Sequence, residues 1–295
     1  KPLGMSSNQG LQVVKHLLEA EKAGHTGSLD PLATGVLPLC FGEATKVSQI
    51  LLEADKRYQA TIRLGITTTS GDRDGEVMST VDVPQFSPAE LTAALVQYTG
   101  SYEQTAPIYS ALKQDGVPQY KLARAGKPVE AKRRMVTIHH LDLVTWQWPE
   151  LSIDVTCSKG TYIRSLAEDI GNALGVGGHL SSLRRLDAGP FSLAQSHSLE
   201  TLKAVVEIHG PTGLDSLLLP VDFAVQDWER LDLDAELALK LWQGQEVRTP
   251  NISGAEKVRV YSQTHFVGIA EFVEGNRLRP LRLMKFAAFV DPHGA

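Results

Sequence analysis

The stretch from Leu151 to Leu174 decides the fold, and it reads LSIDVTCSKGTYIRSLAEDIGNAL. Its first seven residues alternate apolar and polar side chains, which is the period of a strand with one buried face. Gly160 then permits a tight turn, and Thr161 offers a cap for a following helix. The apolar positions of that helix are Ile163, Leu166, Ala167, Ile170 and Leu174. They form one helical stripe that Gly175 is placed to end, so the sequence predicts a strand, a turn and a helix.

Strands and helices continue on both sides of this stretch without a regular strand–helix–strand rhythm. The patterns predict further strands at Tyr58–Leu64, Val136–Trp146 and Leu180–Leu186, the second forming a hairpin with Leu151–Cys157. They predict helices over Leu11–Leu18, Glu43–Ala54 and Pro88–Tyr98, the last capped by Ser87. Elements mixed in this order indicate an α+β main domain.

The end of the chain has a different character. Short strands are predicted at Val258–Ser262, His265–Glu271 and Arg277–Leu283. Residues 198–243 before them read as mostly helical, and residues 191–240 carry a net charge of −6. We therefore place a boundary near residue 230, between a domain of residues 1–230 and a small β-rich domain of residues 231–295.

Composition excludes several classes of protein. The chain has 295 residues, of which 42% are hydrophobic and 21% charged, which is too apolar for a disordered chain. Its longest apolar runs, Val36–Phe41 and Leu217–Val221, are far shorter than the roughly 20 residues of a membrane helix. These short runs predict no membrane partner. Two cysteines cannot build a disulfide framework, so we expect a reducing cytoplasm.

Charge is distributed unevenly along the chain. The net charge of −5 argues by itself against a nucleic-acid partner. The run Lys113–Arg134, however, carries +5 and ends in Lys132, Arg133 and Arg134. Phosphate binding needs local Lys and Arg rather than a basic whole, so this run is a candidate polyanion site. An ordinary solvated surface is the alternative.

The densest cluster of reactive side chains is His25–Pro38, which reads HTGSLDPLATGVLP. Asp30 stands between two leucines and before a proline, so it is a candidate nucleophile or general base in a partly apolar cleft. A turn cap is the alternative reading of the same aspartate. His25 and Asp30 are too few for a metal site, and the sequence has no phosphate-binding glycine motif.

A second candidate site runs from Cys157 to Arg164. Arg164 lies off the apolar stripe of its predicted helix, so it can pair with a carboxylate. A bidentate pair with an aspartate would keep that aspartate ionised. Glu168, four residues on along the helix, is the alternative partner.

These segments together resemble the catalytic motifs of the TruB family of tRNA pseudouridine synthases. The matching segments, in family order, are Lys1–Ser7, Gly24–Gly35, Gly42–Lys46, Asp55–Tyr58, Tyr109–Lys113, Cys157–Arg164 and Leu183–Leu186. The resemblance is close up to about residue 190, and the tail is similar in length and strand pattern to a PUA-like domain. Two departures are Ser28, where the family usually has Ala, and the lack of the apolar strand that normally precedes Lys1.

The resemblance implies a role for three catalytic residues. Asp30 matches the catalytic aspartate, and Arg164 matches the arginine that pairs with it. Tyr58 matches the aromatic residue that stacks on the target base. It implies a mixed, mainly antiparallel central sheet flanked by helices in the catalytic domain, and an RNA-binding role for the tail.

The resemblance also implies a set of substrate-binding residues. Tyr162 and Leu183 match residues that line the uracil pocket, beside Tyr58. His25 matches the histidine that takes the place of the extruded base in the RNA loop. Lys132, Arg133 and Arg134 are then the expected contacts to RNA phosphates.

The reaction implied is conversion of uridine 55, in the T-loop of tRNA, to pseudouridine by base flipping. It consumes no electron, phosphate or water, so we expect no cofactor and no metal. The expected partner is the T arm of tRNA, bound by a monomer. Two other hypotheses stay open, a non-catalytic RNA-binding or RNA-folding protein and a nucleoside hydrolase. The polar run Thr67–Gly75 is either a mobile lid over the RNA or a disordered loop.

Overall fold

The computed structural model describes residues 1–110, 112–250, 254–274 and 276–285. Its α-helices are α1 (Ser7–Leu17), α2 (Ser48–Glu53), α3 (Pro88–Val96), α4 (Gln119–Arg124), α5 (Ile163–Ala173), α6 (Leu199–His209) and α7 (Ala235–Trp242). Short 3-10 helices cover Gly42–Lys46, Leu193–Gln195, Pro211–Leu217 and Val221–Val225. The first nine strands are β1 (Ala23–His25), β2 (Ala33–Gly35), β3 (Leu39–Phe41), β4 (Lys56–Leu64), β5 (Ile66–Thr68), β6 (Val77–Thr80), β7 (Gly100–Thr105), β8 (Lys113–Gln114) and β9 (Val117–Pro118). The others are β10 (Arg133–Gln147), β11 (Glu150–Cys157), β12 (Gly178–Ala188), β13 (Phe191–Ser192), β14 (Glu229–Asp232), β15 (Val247–Arg248), β16 (Lys257–Ser262), β17 (His265–Val273) and β18 (Arg277–Leu283).

The chain forms two compact units that do not follow chain order. The first unit contains Lys1–Gly10, Ser28–Leu37 and Glu53–Ser198. The second contains Leu11–Gly27, Pro38–Leu52 and the chain from Leu199 onward. The predicted domain boundary near residue 230 stays a prediction, because each of these units combines several separate segments of the chain. The last ten residues of the predicted tail domain and Ala111 of the Tyr109–Lys113 motif lie outside the described residues.

A mixed sheet forms the centre of the first unit, which confirms the predicted α+β class. Its strand order is β13-β12-β4-β11-β10-β7, all antiparallel, and β2 adds to β12 in parallel. The fully buried side chains of one face include Ile62, Ile153 and Leu180, and they pack against Leu166 and Ile170 of α5. Helix α5, which follows β11 in the chain, therefore covers the sheet to which β11 belongs.

The predicted hairpin is present, but its first strand is longer than expected. β10 begins at Arg133 rather than Val136, because its first six residues pair with β7. The sequence analysis missed β7, whose inward positions include the polar Gln104 in place of an apolar residue. The basic residues Arg133 and Arg134 consequently lie on a strand and not on a loop.

The predicted single helix over Glu43–Ala54 is wrong. The chain forms a 3-10 helix over Gly42–Lys46 and a separate helix, α2, from Ser48. The buried Val47 separates them, and its N–H donates to Ala44 three residues back, which closes the tighter helix.

The polar run Thr67–Gly75 is built into the first unit, so the disordered-loop alternative is wrong. It begins in β5, which pairs with β6 to make a small hairpin. The N–H of Leu180 on β12 donates to Gly71, and the N–H of Arg73 donates back to Leu180, at 3.0 Å each. These bonds fix the buried Asp72 between them.

The tail of the second unit forms its own sheet, in the order β14-β16-β17-β18-β15. Its pairs are antiparallel except for β14 with β16. The three predicted strands are confirmed, and α7 packs against the sheet through Ala238 and Leu241, both fully buried. Throughout the described chain, the helices fall short of the length and apolarity that a membrane span requires.

Candidate active site

Asp30 lies in a loop that three hydrogen bonds anchor. The N–H of Leu29 donates to Ser7 Oγ at 2.7 Å, and Ser7 Oγ donates to the Leu29 carbonyl at 3.0 Å. The Asp30 carbonyl accepts from the N–H of Ala33, where β2 begins to pair with β12. Because the backbone is held in this way, the Asp30 carboxylate has a defined position at the start of the sheet.

Arg164 holds that carboxylate from the first turn of α5. Its Nε lies 3.0 Å from Asp30 Oδ2, and the Arg164 side chain is 6% exposed. Its two terminal nitrogens donate elsewhere, to the carbonyls of Ser70 at 3.1 Å and Tyr109 at 2.9 Å. The predicted bidentate geometry is therefore wrong, because the rest of the guanidinium is used to hold the arginine in place.

Asp72 is a member of this site that the sequence analysis missed. Its Oδ2 lies 3.7 Å from Arg164 Nε, and Ser70 Oγ donates to its Oδ1 at 2.5 Å. Arg164 thus pairs with Asp30 and Asp72, and not with Glu168 as in the alternative. The only sequence signal was a carboxylate within a polar run, and Asp72 itself lies 92 residues before Arg164.

The surroundings of Asp30 act on its pKa in both directions. Burial raises the pKa of Asp30 above its ordinary value, while the Arg164 guanidinium lowers it. The charge of Asp72 raises the pKa of Asp30 again, and the ammonium of Lys1 lowers it. Lys1 Nζ is held by the carbonyls of Met5 and Pro2 at 2.5 and 2.9 Å. The two cations therefore offset part of the effect of desolvation on the pKa of Asp30.

Two further carboxylates on α5, Glu168 and Asp169, are half-buried. Burial raises the pKa of Glu168 to about 7, with a further rise from the charge of Asp169. Burial likewise raises the pKa of Asp169 to about 6. Among the residues that the structure describes, no group of three or more His, Cys, Asp or Glu side chains is arranged to hold a metal ion.

The inner face of β4 and β12 carries two of the predicted pocket residues. Tyr58 on β4 is half-buried and stands directly across from Arg185 on β12. Burial raises the pKa of Tyr58, Arg185 lowers it, and the charge of Asp30 raises it. Leu183, 8% exposed, pairs with both β2 and β4. Tyr58 and Leu183 thus lie on two paired strands, β4 and β12. Asp30 lies just before β2, which also pairs with β12.

Tyr162 precedes α5, and its neighbours correct one prediction. Its N–H donates to Gln104 Oε1 at 2.8 Å, so the Gln104 side chain supplies the acceptor for the backbone N–H that precedes α5. Thr161 was the predicted cap, but its hydroxyl donates to the Ser158 carbonyl instead. The Arg134 guanidinium lies over the Tyr162 ring, 5.2 Å from its centroid.

The three basic residues have three different environments. Lys132 Nζ donates to the Lys113 carbonyl at 2.8 Å. Arg133 is exposed and pairs with Glu103 at 3.1 Å. Arg134 is half-buried and donates to the Gly160 carbonyl at 3.3 Å. Their shared role in RNA binding stays a prediction.

His25 lies on β1 of the second unit, where it stands across from Leu39 on β3. Its imidazole is half-buried. The predicted role of His25 in the RNA loop also stays a prediction.

Comparison with protein families identifies one family along most of the chain. Residues 15–163 match the N-terminal domain of the TruB family pseudouridylate synthases. Residues 164–226 match the C-terminal domain of tRNA pseudouridylate synthase B. Residues 230–284 match a further domain described as the C-terminal part of pseudouridine synthase II TruB.

Relatives with assigned functions are similar over nearly the full length. The chain is 53% identical to tRNA pseudouridine synthase B of Pseudomonas aeruginosa (strain UCBPP-PA14), over 97% of this chain and 94% of that protein. It is 50% identical to the protein of the same name from Pseudomonas putida (strain GB-1), over 97% and 93%.

Solved structures share the fold at lower identity. A chain in an H/ACA RNP bound to a substrate RNA that contains 2′-deoxyuridine has a TM-score of 0.75 and 23% identity, covering 98% of this chain and 84% of that one. A chain of a Cbf5–Nop10–Gar1 complex has a TM-score of 0.73 and 24% identity, covering 97% and 82%. At this identity the likeness concerns the fold alone.

Proposed function

The chain belongs to the TruB family of pseudouridylate synthases, which isomerise uridine in tRNA to pseudouridine, and we propose that Asp30 carries this reaction on uridine 55 of the T-loop. The observation that supports Asp30 is its 3.0 Å contact with the buried Arg164. Family membership alone gives the reaction, while this contact supports the assignment of one carboxylate to it.

The reaction rearranges atoms without consuming any. The N1–C1′ bond of the uridine breaks, the uracil turns, and a C5–C1′ bond forms. The proton of C5 is lost and N1 gains a proton, so the product is an isomer of the substrate. This balance needs no cofactor, and a positioned carboxylate with a walled pocket supplies what the steps require.

Asp30 works in the ionised form, whether its oxygen attacks carbon or takes a proton. Arg164 contributes by favouring that form and by fixing one oxygen, while its other nitrogens remain bound to Ser70 and Tyr109. Asp72 holds the same Nε from a second side. The carboxylate therefore needs little reorganisation when the uridine enters.

Tyr58, Leu183 and Tyr162 make the pocket for the flipped base. Extrusion of a base from its stack costs a few kcal/mol. Stacking on an aromatic ring such as Tyr58 contributes about 1–3 kcal/mol in return. Leu183 and Tyr162 keep the detached uracil in place and exclude water, and His25 occupies the gap left in the loop.

The T arm of tRNA is the proposed partner, bound to a monomer in the cytoplasm. Lys132, Arg133 and Arg134 supply the cations for its phosphates. Both cysteines, Cys40 and Cys157, are buried free thiols, in keeping with a reducing compartment.

Replacement of Asp30 by asparagine tests the proposal. Asp30→Asn keeps the size of the side chain and removes its charge, so we expect at least a roughly 10³-fold loss of pseudouridine formation in a T-arm stem-loop RNA. RNA binding should change little. Product is detected by primer extension after carbodiimide treatment.

The matched control is Asp142→Asn, which changes an exposed carboxylate of β10 that pairs with His140. It should keep full activity. Activity retained by Asp30→Asn would overturn the assignment, and such a result would favour a protein that only binds RNA.

A further inference from the structure

Gln104 is a polar side chain buried at the edge of the central sheet, on strand β7. It is 0% exposed, so its amide groups need hydrogen-bond partners within the protein. In the described chain this amide makes one hydrogen bond with Tyr102 and two with Tyr162. These contacts indicate what a buried amide is used for at this position.

The two bonds to Tyr162 use both polar groups of its backbone. The Tyr162 N–H donates to Gln104 Oε1 at 2.8 Å, and Gln104 Nε2 donates to the Tyr162 carbonyl at 3.1 Å. One of these backbone groups is a donor and the other an acceptor, so the amide satisfies both in a single orientation. Its Nε2 also donates to the Tyr102 hydroxyl at 2.7 Å, which holds the amide in that orientation.

The ring of Tyr162 is held by the neighbouring strand. Arg134 on β10 is the direct pairing partner of Gln104 on β7. Its guanidinium lies over the Tyr162 ring, 5.2 Å from the centroid, and donates to the Gly160 carbonyl at 3.3 Å. The backbone and the ring of Tyr162 are thus each fixed by one of two paired residues.

A separate bond ties helix α5 to β7. Ser165 Oγ in the first turn of the helix donates to the Thr105 carbonyl at 2.7 Å. The helix itself begins with the bond from the Leu166 N–H to the Tyr162 carbonyl, at 3.1 Å. Because the Ser165 bond anchors the helix to the strand by itself, Gln104 adds the placement of the one residue that precedes the helix.

We propose that Gln104 is a positioning residue for the reaction, because its two bonds to the Tyr162 backbone fix the ring that walls the uracil pocket. This inference rests on the proposed function, in which Tyr162 is a pocket residue. The detached uracil has to turn and meet C1′ again within that pocket, so a displaced wall slows the chemical step. RNA affinity depends on phosphate contacts elsewhere and changes little.

A double-mutant cycle tests whether Gln104 acts through the Tyr162 ring. The variants are Gln104→Met, Tyr162→Ala and the pair together, each assayed in single turnover with saturating enzyme on the T-arm stem-loop. We expect Gln104→Met to lower the rate about 10-fold with less than a roughly threefold change in Kd. In the Tyr162→Ala background, which lacks the ring, the same change should cost less than about threefold.

Two additional variants keep the test decisive. Gln104→Glu retains the length of the side chain, and burial favours its protonated form, which has both an acceptor and a donor. It should recover part of the rate, and it takes the place of Gln104→Met in the cycle if that variant does not fold. Ser165→Ala is the matched control, because it removes the other bond between β7 and α5. It should lower the melting temperature and leave the saturated rate within about threefold.

Rate losses that multiply in the double variant would overturn the inference and leave Gln104 as a structural tie between β7 and α5. A loss in Ser165→Ala as large as that in Gln104→Met would do the same, and so would full activity of Gln104→Met. A fully active Asp30→Asn would instead overturn the proposed function. The two failures are therefore distinguishable.

Discussion

The Asp30 cluster and the basic start of β10 are both charged regions of the first unit, but they are built in opposite ways. In the Asp30 cluster, Arg164 is buried and each part of its guanidinium has its own partner. At the start of β10, Arg133 is exposed and makes one ion pair. Buried charges with several partners act through geometry, whereas exposed charges act through their number and the surrounding salt.

The largest effect is expected where geometry matters most. Arg164→Lys keeps the charge but replaces three directed nitrogens by one ammonium, so Asp30 loses its fixed partner. We expect kcat/KM on the T-arm stem-loop to fall about 10²- to 10³-fold, with pseudouridine as the readout. The melting temperature reports folding in parallel. A loss smaller than tenfold would show that charge alone suffices in the cluster.

A smaller effect, with a defined direction in pH, is expected from Asp72→Asn. The Asp72 charge raises the pKa of Asp30, so its removal should lower that pKa. An aspartate with a raised pKa loses its ionised form at a higher pH than usual as the solution is acidified. The acid limb of the kcat/KM profile should therefore move to lower pH in the variant.

The rate of Asp72→Asn at neutral pH should fall about tenfold, because Arg164 loses one partner. Asp74→Asn is the control, since that carboxylate is 58% exposed, and it should leave the profile in place. An acid limb that stays or moves to higher pH would contradict the coupling of Asp72 to Asp30.

The smallest effects are expected at the start of β10 and concern binding. Arg134→Ala should reduce the slope of log Kd against log salt by about 0.7–0.9 for each RNA phosphate that the side chain no longer neutralises. Arg133→Ala should reduce it less, because Glu103 already compensates that charge. Glu103→Gln should increase affinity by freeing Arg133. An unchanged slope in all variants, Lys132→Ala included, would make this run ordinary surface.

Sequence patterns predicted the elements whose side chains alternate cleanly. The strand Leu151–Cys157 and the helix after it are present as β11 and α5, because their apolar periods match their buried faces. The motif around Asp30 led to the correct family. β7 was missed because its inward Gln104 is held by hydrogen bonds to Tyr162 rather than by apolar packing.

The parts of the site that escaped prediction share one physical cause. Asp72 and Arg185 are charged residues whose burial depends on partners far away in sequence, and periodicity describes only near neighbours. The bidentate geometry assigned to Arg164 failed for the same reason, since the carbonyls of Ser70 and Tyr109 are tertiary partners. Composition and spacing made Asp30 and Arg164 candidates, and the family resemblance implied their roles. Long-range contacts determine the geometry between them.

Strand β12 sets the relative positions of several residues of the proposed site. Leu180 anchors the loop of Asp72, Leu183 lies at the proposed pocket and Arg185 stands directly across from Tyr58. The pairing of β12 with β4 shifts register between Leu180 and Ser182 and again between Arg185 and Asp187. Ser182–Arg185 is therefore a regularly paired block between two irregular positions. A length change outside the block can be absorbed by a bulge, whereas one inside it would turn these side chains to the wrong face. The spacing of residues along these few positions is therefore as much a determinant of the site as their chemical identity.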